Sequence, residues 1–315
     1  MRKFNLKGKA AQKLKGVEPE APRPVATENP QPQETLRCVW RTDTGRLRRN
    51  NQDAVIACEG LFGVADGMGG HNGGEIASGE LRDGLIREIA GKEPGLDTLR
   101  DAVEKVNLEL WERQEKDASL TGMGTTLTAV WPAPQEMIVA QVGDSRAYLL
   151  RDGMMRQITE DHSMVADMVR RGILTEEQAA CHPMRNYITR AVGTEDTIEV
   201  DMLAVPRQIG DRWLICSDGL HGMAPKAELQ RLLRLENPEE AADRLLQAAL
   251  DGGGRDNISL VILQDDEGPA KQTAQDDLPR EDGTSASGPM EEEAPEESSE
   301  HKDDQPSSSE GGAQA

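Results

Sequence analysis

The sequence predicts an α+β sandwich, and two observations carry that prediction. Short strand-like runs dominate the middle of the chain, at 36–41, 54–57, 61–65, 125–131, 137–142, 147–151, 198–205, 212–216 and 258–263. Turn chemistry separates several of them, such as Arg151-Asp152-Gly153 and Glu59-Gly60. Helical patterns then interrupt the strands in groups instead of following each one, which disfavours a doubly wound parallel sheet.

The elements follow in chain order. After the first three strands, Leu81, Leu85 and Ile89 repeat at a spacing of four. Leu96, Leu99, Val103, Val106 and Leu110 alternate threes and fours, which is one face of a helix. Three strands come next, and then Thr175 followed by Glu176 and Glu177 reads as an N-capped helix start. Beyond the strands at 198–205 and 212–216, a helix is expected over 238–250, with Ala241, Ala242, Leu245, Leu246 and Ala249 facing inward. The strand at 258–263 closes the series.

Composition divides the chain of 315 residues into three parts. The net charge of −21 is uneven: residues 265–315 hold 16 acids and 3 bases, whereas residues 1–34 hold 4 acids and 7 bases. Residues 17–34 carry five prolines among acids and glutamines, and the segment from 265 onward is almost free of apolar residues. Neither can build a packed core, so 1–34 (basic, then Pro-rich) and 265–315 (acidic) are expected to be disordered tails. The domain expected between them, 35–264, is long enough for one substantial core. Residues 2–15 hold six Lys or Arg with Leu6, Ala10, Leu14 and Val17 near helical spacing, which fits a membrane-surface or partner helix or simply a solvated tail.

Charge and hydropathy exclude several classes. An acidic main body argues against non-specific nucleic-acid or anionic-membrane binding. No apolar run approaches the roughly 20 residues of a spanning helix, and the N-terminus lacks a secretory apolar region. A soluble, cytoplasmic monomer is expected. Cys38, Cys58, Cys181 and Cys216 form no CxxC pair, and none is followed by Arg six positions on, as tyrosine phosphatases require. Buried thiols in a reducing compartment are the expectation.

The chemistry lies in where aspartates fall. Asp66 ends the apolar run LFGVAD, Asp144 follows MIVAQVG, and Asp218 follows RWLICS. Asp256 precedes ISLVIL, and Asp53 precedes AVIAC. One aspartate at a strand end is a turn-former. Five in one domain would repel and raise one another's pKa unless a cation neutralised them. A hard divalent ion, Mg²⁺ or Mn²⁺, suits carboxylate and carbonyl oxygens, while none of the five His is spaced as a zinc site. RLRRNNQD at 46–53 puts three arginines beside Asp53, and arginine grips phosphate through a bidentate fork. The glycine-rich DGMGGHNGG at 66–74 allows close backbone approach to a ligand but fits no nucleotide-loop pattern.

RRNNQD (48–53), ADGMGGH (65–71), GMGTT (122–126), VGDSRA (142–147), DHS (161–163), SDGL (217–220) and GRDNIS (254–259) occur in the order seen in metal-dependent protein phosphatases. Over 37–264 the chain resembles the type 2C serine/threonine phosphatase family in its compact bacterial form. The resemblance implies a four-layer α-β-β-α sandwich with a metal cleft at one end. It implies two core Mn²⁺ or Mg²⁺ ions, Asp66 bridging both, the Gly67 carbonyl on the first, and Asp218 and Asp256 on the second. Asp144 lines up with a carboxylate that, with Asp218, holds a third ion in bacterial members. Arg48 lines up with the phosphate-binding arginine and Asp53 with a carboxylate supporting metal-bound waters. The implied reaction is in-line attack of a metal-bridging hydroxide on phosphoserine or phosphothreonine, with no covalent phosphoenzyme.

Met68 stands where eukaryotic members place a histidine often assigned as general acid, leaving His71 or a metal-bound water as candidates. Residues 163–193 match the family's flap, where Met168, Met184 and Arg185 are expected to be exposed. The expected partners are phosphoproteins, including a Ser/Thr kinase and its targets. A non-catalytic phosphopeptide-binding scaffold would have lost a metal carboxylate, and none is lost. A partner-switching phosphatase of the sporulation type shares the fold, but the RxxNQD and GDSR motifs and the flap favour the general type.

Overall fold

The computed structural model describes residues 36–70 and 73–266. The two expected tails up to 34 and from 267, and His71, lie outside the described residues. The strands are β1 (Arg37–Asp43), β2 (Asp53–Cys58), β3 (Leu61–Met68), β4 (Gly124–Thr125), β5 (Leu127–Pro132), β6 (Glu136–Val142), β7 (Arg146–Arg151), β8 (Met154–Gln157), β9 (Asp201–Pro206), β10 (Arg212–Cys216) and β11 (Ile258–Gln264). The helices are α1 (Gly73–Ile89), α2 (Leu96–Lys116), α3 (Met164–Arg170), α4 (Glu176–Ala180), α5 (Asp218–His221), α6 (Lys226–Leu233) and α7 (Pro238–Asp251).

Two antiparallel sheets result, ordered β1-β11-β10-β7-β8 and β2-β3-β5-β6-β9, with β4 paired to β3. Three apolar layers hold them. Val64, Val139, Leu149, Trp213, Ile215 and Val261 fill the space between the sheets. Leu81, Leu85, Val103, Val106 and Leu110 pack α1 and α2 on the second sheet. Leu229, Leu233, Ala241, Ala242 and Leu245 pack α6 and α7 on the first. This is the α-β-β-α sandwich. Because both faces of each sheet are covered, central strands read as continuous apolar runs: in β10, Trp213 and Ile215 point between the sheets, and Leu214 and Cys216 point at the helices. Each such fully buried large side chain stabilises the fold by roughly 1.5–3 kcal/mol.

Several expectations change. The run 125–131 is broken at Thr126, which turns out of the sheet to hydrogen-bond Asp66. β3 continues two residues past Asp66, because Gly67 and Met68 pair with Thr125 and Gly124 of β4. The strand expected at 198–205 begins at Asp201; Ile198 and Val200 pack against the helix layer instead. Asp265, assigned by composition to a tail, is buried in an ion pair with Arg207. Of the cysteines only Cys216 is buried; Cys58 and Cys181 are exposed at the ends of β2 and α4. Met184 is exposed as expected, but Met168 is half-buried inside α3. Thr175 does cap α4, in a full capping box with Gln178.

Candidate metal and phosphate site

The second sheet supplies the first pair of carboxylates. Asp53 opens β2 and stands directly opposite Asp66 in the β2–β3 register. Like charges directly opposite destabilise a sheet, so this pairing demands compensation. The first sheet supplies the rest. Asp218 opens α5 immediately after β10, and Asp256 lies two residues before β11, the strand paired to β10. Asp144 sits in the turn from β6 to β7 and is buried. The sequence thus separates these groups by up to 203 positions, and the sandwich brings all five to one end.

Their electrostatics agree. Burial, and then the fields of Asp53, Asp218, Asp144 and Asp256, hold Asp66 well above the usual carboxylate range. Burial and Asp218 push Asp144 up to about 8. Burial pushes Asp53 up to about 7, although Ser259 and Ser217 hydrogen bonds oppose this. Burial and Asp256 push Asp218 up to about 6. Asp53 Oδ1 and Asp218 Oδ1 are buried without a hydrogen-bond partner.

Oxygen donors of one sign, two of them orphaned, fit a hard divalent cation and no other common ligand. Among the described residues no three acidic or histidine side chains close on one point as the cage of a single ion. Mg²⁺-like ions do not need one, since they take one or two carboxylates and complete their shell with water.

The local scaffold is specific. Thr126 Oγ1 accepts from the Asp66 amide and its own amide donates to the Asp66 carbonyl, both at 2.9 Å. Ser217 Oγ donates to Asp53 Oδ2 at 2.9 Å and accepts from the Ser259 amide, pinning the two sheets together at this end. A Cβ at Gly67 would collide with the Gly74 carbonyl, so only glycine fits between α1 and the Gln52 backbone. Gly143 has φ +98°, which turns the chain into Asp144. Asn257 binds the carbonyls of Thr44 and Asn50 and the amide of Gln52, fixing the arginine loop over the carboxylates.

Arg48 lies at the rim, where Nη2 donates to Asp256 Oδ2 at 2.7 Å. Arg46 instead contacts Asp251 at 3.5 Å, and Arg49 is exposed.

Sequence reasoning named no role for four side chains that the fold brings here. Arg146 forks onto Asp161 at 2.7–3.1 Å, joining two of the quoted motifs. Buried His162 accepts from the Gly143 amide through Nδ1 and reaches Asp201 through Nε2. His221 Nε2 lies 3.0 Å from the Asp144 carbonyl, and burial and the Arg146 charge push its pKa down to about 3, so it is a neutral donor. Asn257 is the fourth. All lie inside or one residue beyond quoted motifs, which was the available signal. A cavity of about 590 Å³ runs from Asp144, Asp218 and Asp256 to the flap helices α3 and α4.

A family model described as protein phosphatase 2C matches residues 46–251. The chain belongs to the protein phosphatase 2C family. The serine/threonine phosphatase stp of Listeria innocua is 40% identical over 242 residues, covering 73% of this chain and 96% of that protein. The crystal structure of the Mycobacterium tuberculosis serine/threonine phosphatase PstP/Ppp is similar with a TM-score of 0.68 and 40% identity, over 73% of this chain and 98% of that one. The PstP catalytic domain in complex with two manganese ions matches at 39% identity and TM-score 0.66, over 73% and 97% of the two chains. As a protein phosphatase 2C member, this chain is a metal-dependent serine/threonine protein phosphatase acting on phosphoproteins. No helix of the described residues is long and apolar enough to cross a membrane.

Proposed function

We propose that the five-carboxylate end of the sandwich is the dephosphorylation site and that its ions are Mn²⁺ or Mg²⁺. In this reading Asp66 serves both core ions, the Gly67 carbonyl the first, and Asp218 and Asp256 the second. Asp144, with Asp218, serves a third. When bound, these ions supply an acidified water nucleophile and neutralise charge developing on the phosphoryl oxygens. The observation that carries the reading is the convergence of five acids from two sheets, with two carboxylate oxygens buried and unpartnered.

The chain's own residues do the rest. Arg48 binds the incoming phosphoryl group with the N–H groups that Asp256 does not occupy, and the fork sets its orientation. Asp53, held at Oδ2 by Ser217, keeps Oδ1 open to orient water. His221 is already engaged on the Asp144 carbonyl and neutral, so it orients the Asp144 turn and does not donate the leaving-group proton. That proton comes from His71 or from water. Buried Cys216, whose thiol burial pushes up to about 12, has no nucleophilic role.

The catalytic unit is read as 35–266, two residues longer than composition suggests, because Asp265 is part of the packed structure. The setting proposed is a cytoplasmic monomer that reverses the work of a Ser/Thr kinase. The test is turnover of an aryl phosphate by the full chain with Mn²⁺ and with EDTA, alongside titration calorimetry. Expected are activity only with metal and at least two binding sites. Turnover in EDTA, or a single site, would overturn the assignment.

A further inference from the structure

The cavity beside the carboxylates has a second wall that the reaction does not use. Resting on the reading of the cleft as the dephosphorylation site, a phosphoresidue placed at Asp218 and Asp256 must send its neighbouring residues along this cavity, toward α3, α4 and the start of α6. The charges there are unevenly paired. Arg146 is taken by Asp161, and Arg170 by Asp167 and Glu160. Lys226, Arg255 and Arg185 are exposed and make no ion pair with any described residue. Outside the metal-site aspartates, Glu176 is the one acid lining the cavity without an ion pair among the described residues. Away from the metal-site aspartates, three unpaired cations thus face one unpaired acid on a chain with 57 acids against 36 bases, so composition does not produce the bias.

We propose that this wall is a specificity subsite for acidic side chains flanking the phosphoresidue, with Lys226 and Arg255 as its recognition groups. The chemistry is that of two exposed cations facing a cavity whose apolar patches, Val165 and Met223 among them, accommodate the peptide's own carbon stems. Exposed charges contribute modestly and are screened by salt, so the effect belongs in KM and on-rate, not in the chemical step.

The test uses three phosphothreonine peptides identical except for flanking Glu, Ala or Lys, with the full chain and Mn²⁺. Wild type is expected to show kcat/KM about fivefold higher for the Glu peptide than for the Ala peptide, through KM, with the gap shrinking in roughly 0.5 M salt. Lys226→Glu should erase that preference, and Lys226→Ala should reduce it about twofold without reversal. The Lys226→Glu/Arg255→Gln protein should reverse it and favour the Lys peptide. Equal wild-type rates on all three peptides would overturn the subsite, as would an undiminished preference in Lys226→Ala or one that survives the double variant. An aryl phosphate run in parallel separates the two readings: if wild type cannot hydrolyse it, the dephosphorylation site itself is misassigned.

Discussion

β6, β10 and β11 carry charge at both ends, and the two ends are built on opposite rules. At one end stand Asp144, Asp218 and Asp256, joined by Asp53 and Asp66, all of one sign. At the other, Arg207 forks onto Asp265 at 2.8 and 3.1 Å, both about 1% exposed, and Arg151 forks onto Asp211 at 2.7 and 2.6 Å. There each acid meets a guanidinium, and the Arg207 Nη1 also reaches the Ala133 carbonyl. Burial is similar; compensation is not, since of the five acids at the first end only Asp256, at the rim, meets a guanidinium among the described residues, that of Arg48. A buried charge that meets its partner within the chain is structural, whereas a buried cluster of one sign is complete only with something the chain does not encode.

The sharpest break of this comparison is Asp66→Asn. It should lower metal-dependent turnover by at least about a hundredfold, since even residues behind metal ligands cost 10–100-fold. Asp218→Asn and Asp256→Asn should cost nearly as much. In EDTA, however, the same Asp66→Asn protein should melt higher than wild type by calorimetry, because a neutral amide sits among the other acids without having to take up a proton on folding. Full two-site metal binding in Asp66→Asn would end the bridging role.

Asp265→Asn is the mirror experiment. Taking the Asp265 carboxylate away from buried Arg207 should cost about 3–5 kcal/mol, or on the order of 10 °C in Tm for a domain of this size, by denaturant or thermal melts. Turnover at a temperature where it stays folded should change less than about twofold. A large loss of kcat there would mean that the two ends are coupled.

Acidity distinguishes the ends in a third way. The folded pKa values of Asp53, Asp144 and Asp218, about 7, 8 and 6, are raised above their unfolded values. The folded, metal-free protein therefore holds protons that the unfolded chain has released, and its stability falls as pH rises. For these three groups the fall begins near the unfolded carboxylate pKa of about 4 and ends near 8, and Asp66, also raised, adds to it in the same direction. Tm in EDTA should drop across that window, and saturating Mn²⁺ should flatten the slope. A metal-free Tm that rose with pH would contradict the cluster.

Two smaller effects grade the site internally. If Asp144 serves only a third ion, as proposed, Asp144→Asn should leave two metal sites measurable by calorimetry while lowering turnover roughly tenfold. Arg48→Lys keeps charge and loses the fork, so KM for an aryl phosphate should rise about three- to fivefold with kcat reduced less. Arg46→Lys and Arg49→Lys should do neither; equal effects at all three would reduce the loop to a general basic patch.

Much of this was legible in the chain itself. The apolar runs that became β10 and β11, and the threes-and-fours spacing that became α2, are local patterns set by which faces are buried. β8, reading Met-Met-Arg-Gln, gave no such pattern, because its strand character comes from pairing Gln157 with Tyr148. α6 and α3 were missed for the same reason: short helices draw their stability from what they pack on. The break at Thr126 depends on Asp66, sixty positions away.

By itself the sequence determined the α+β class, the acidic residues at strand mouths and the need for a cation, because periodicity and residue chemistry are local properties. Only the tertiary structure decided that Asp53 faces Asp66 across one register, that Asn257 locks the arginine loop, and that His162 ties the flap root to Gly143. It also decided which buried acids are forked by an arginine and which are crowded against one another. Hydrogen-bond partners and Coulomb energies are set by distance in space, and distance in space is fixed only when both sheets have closed on their common core.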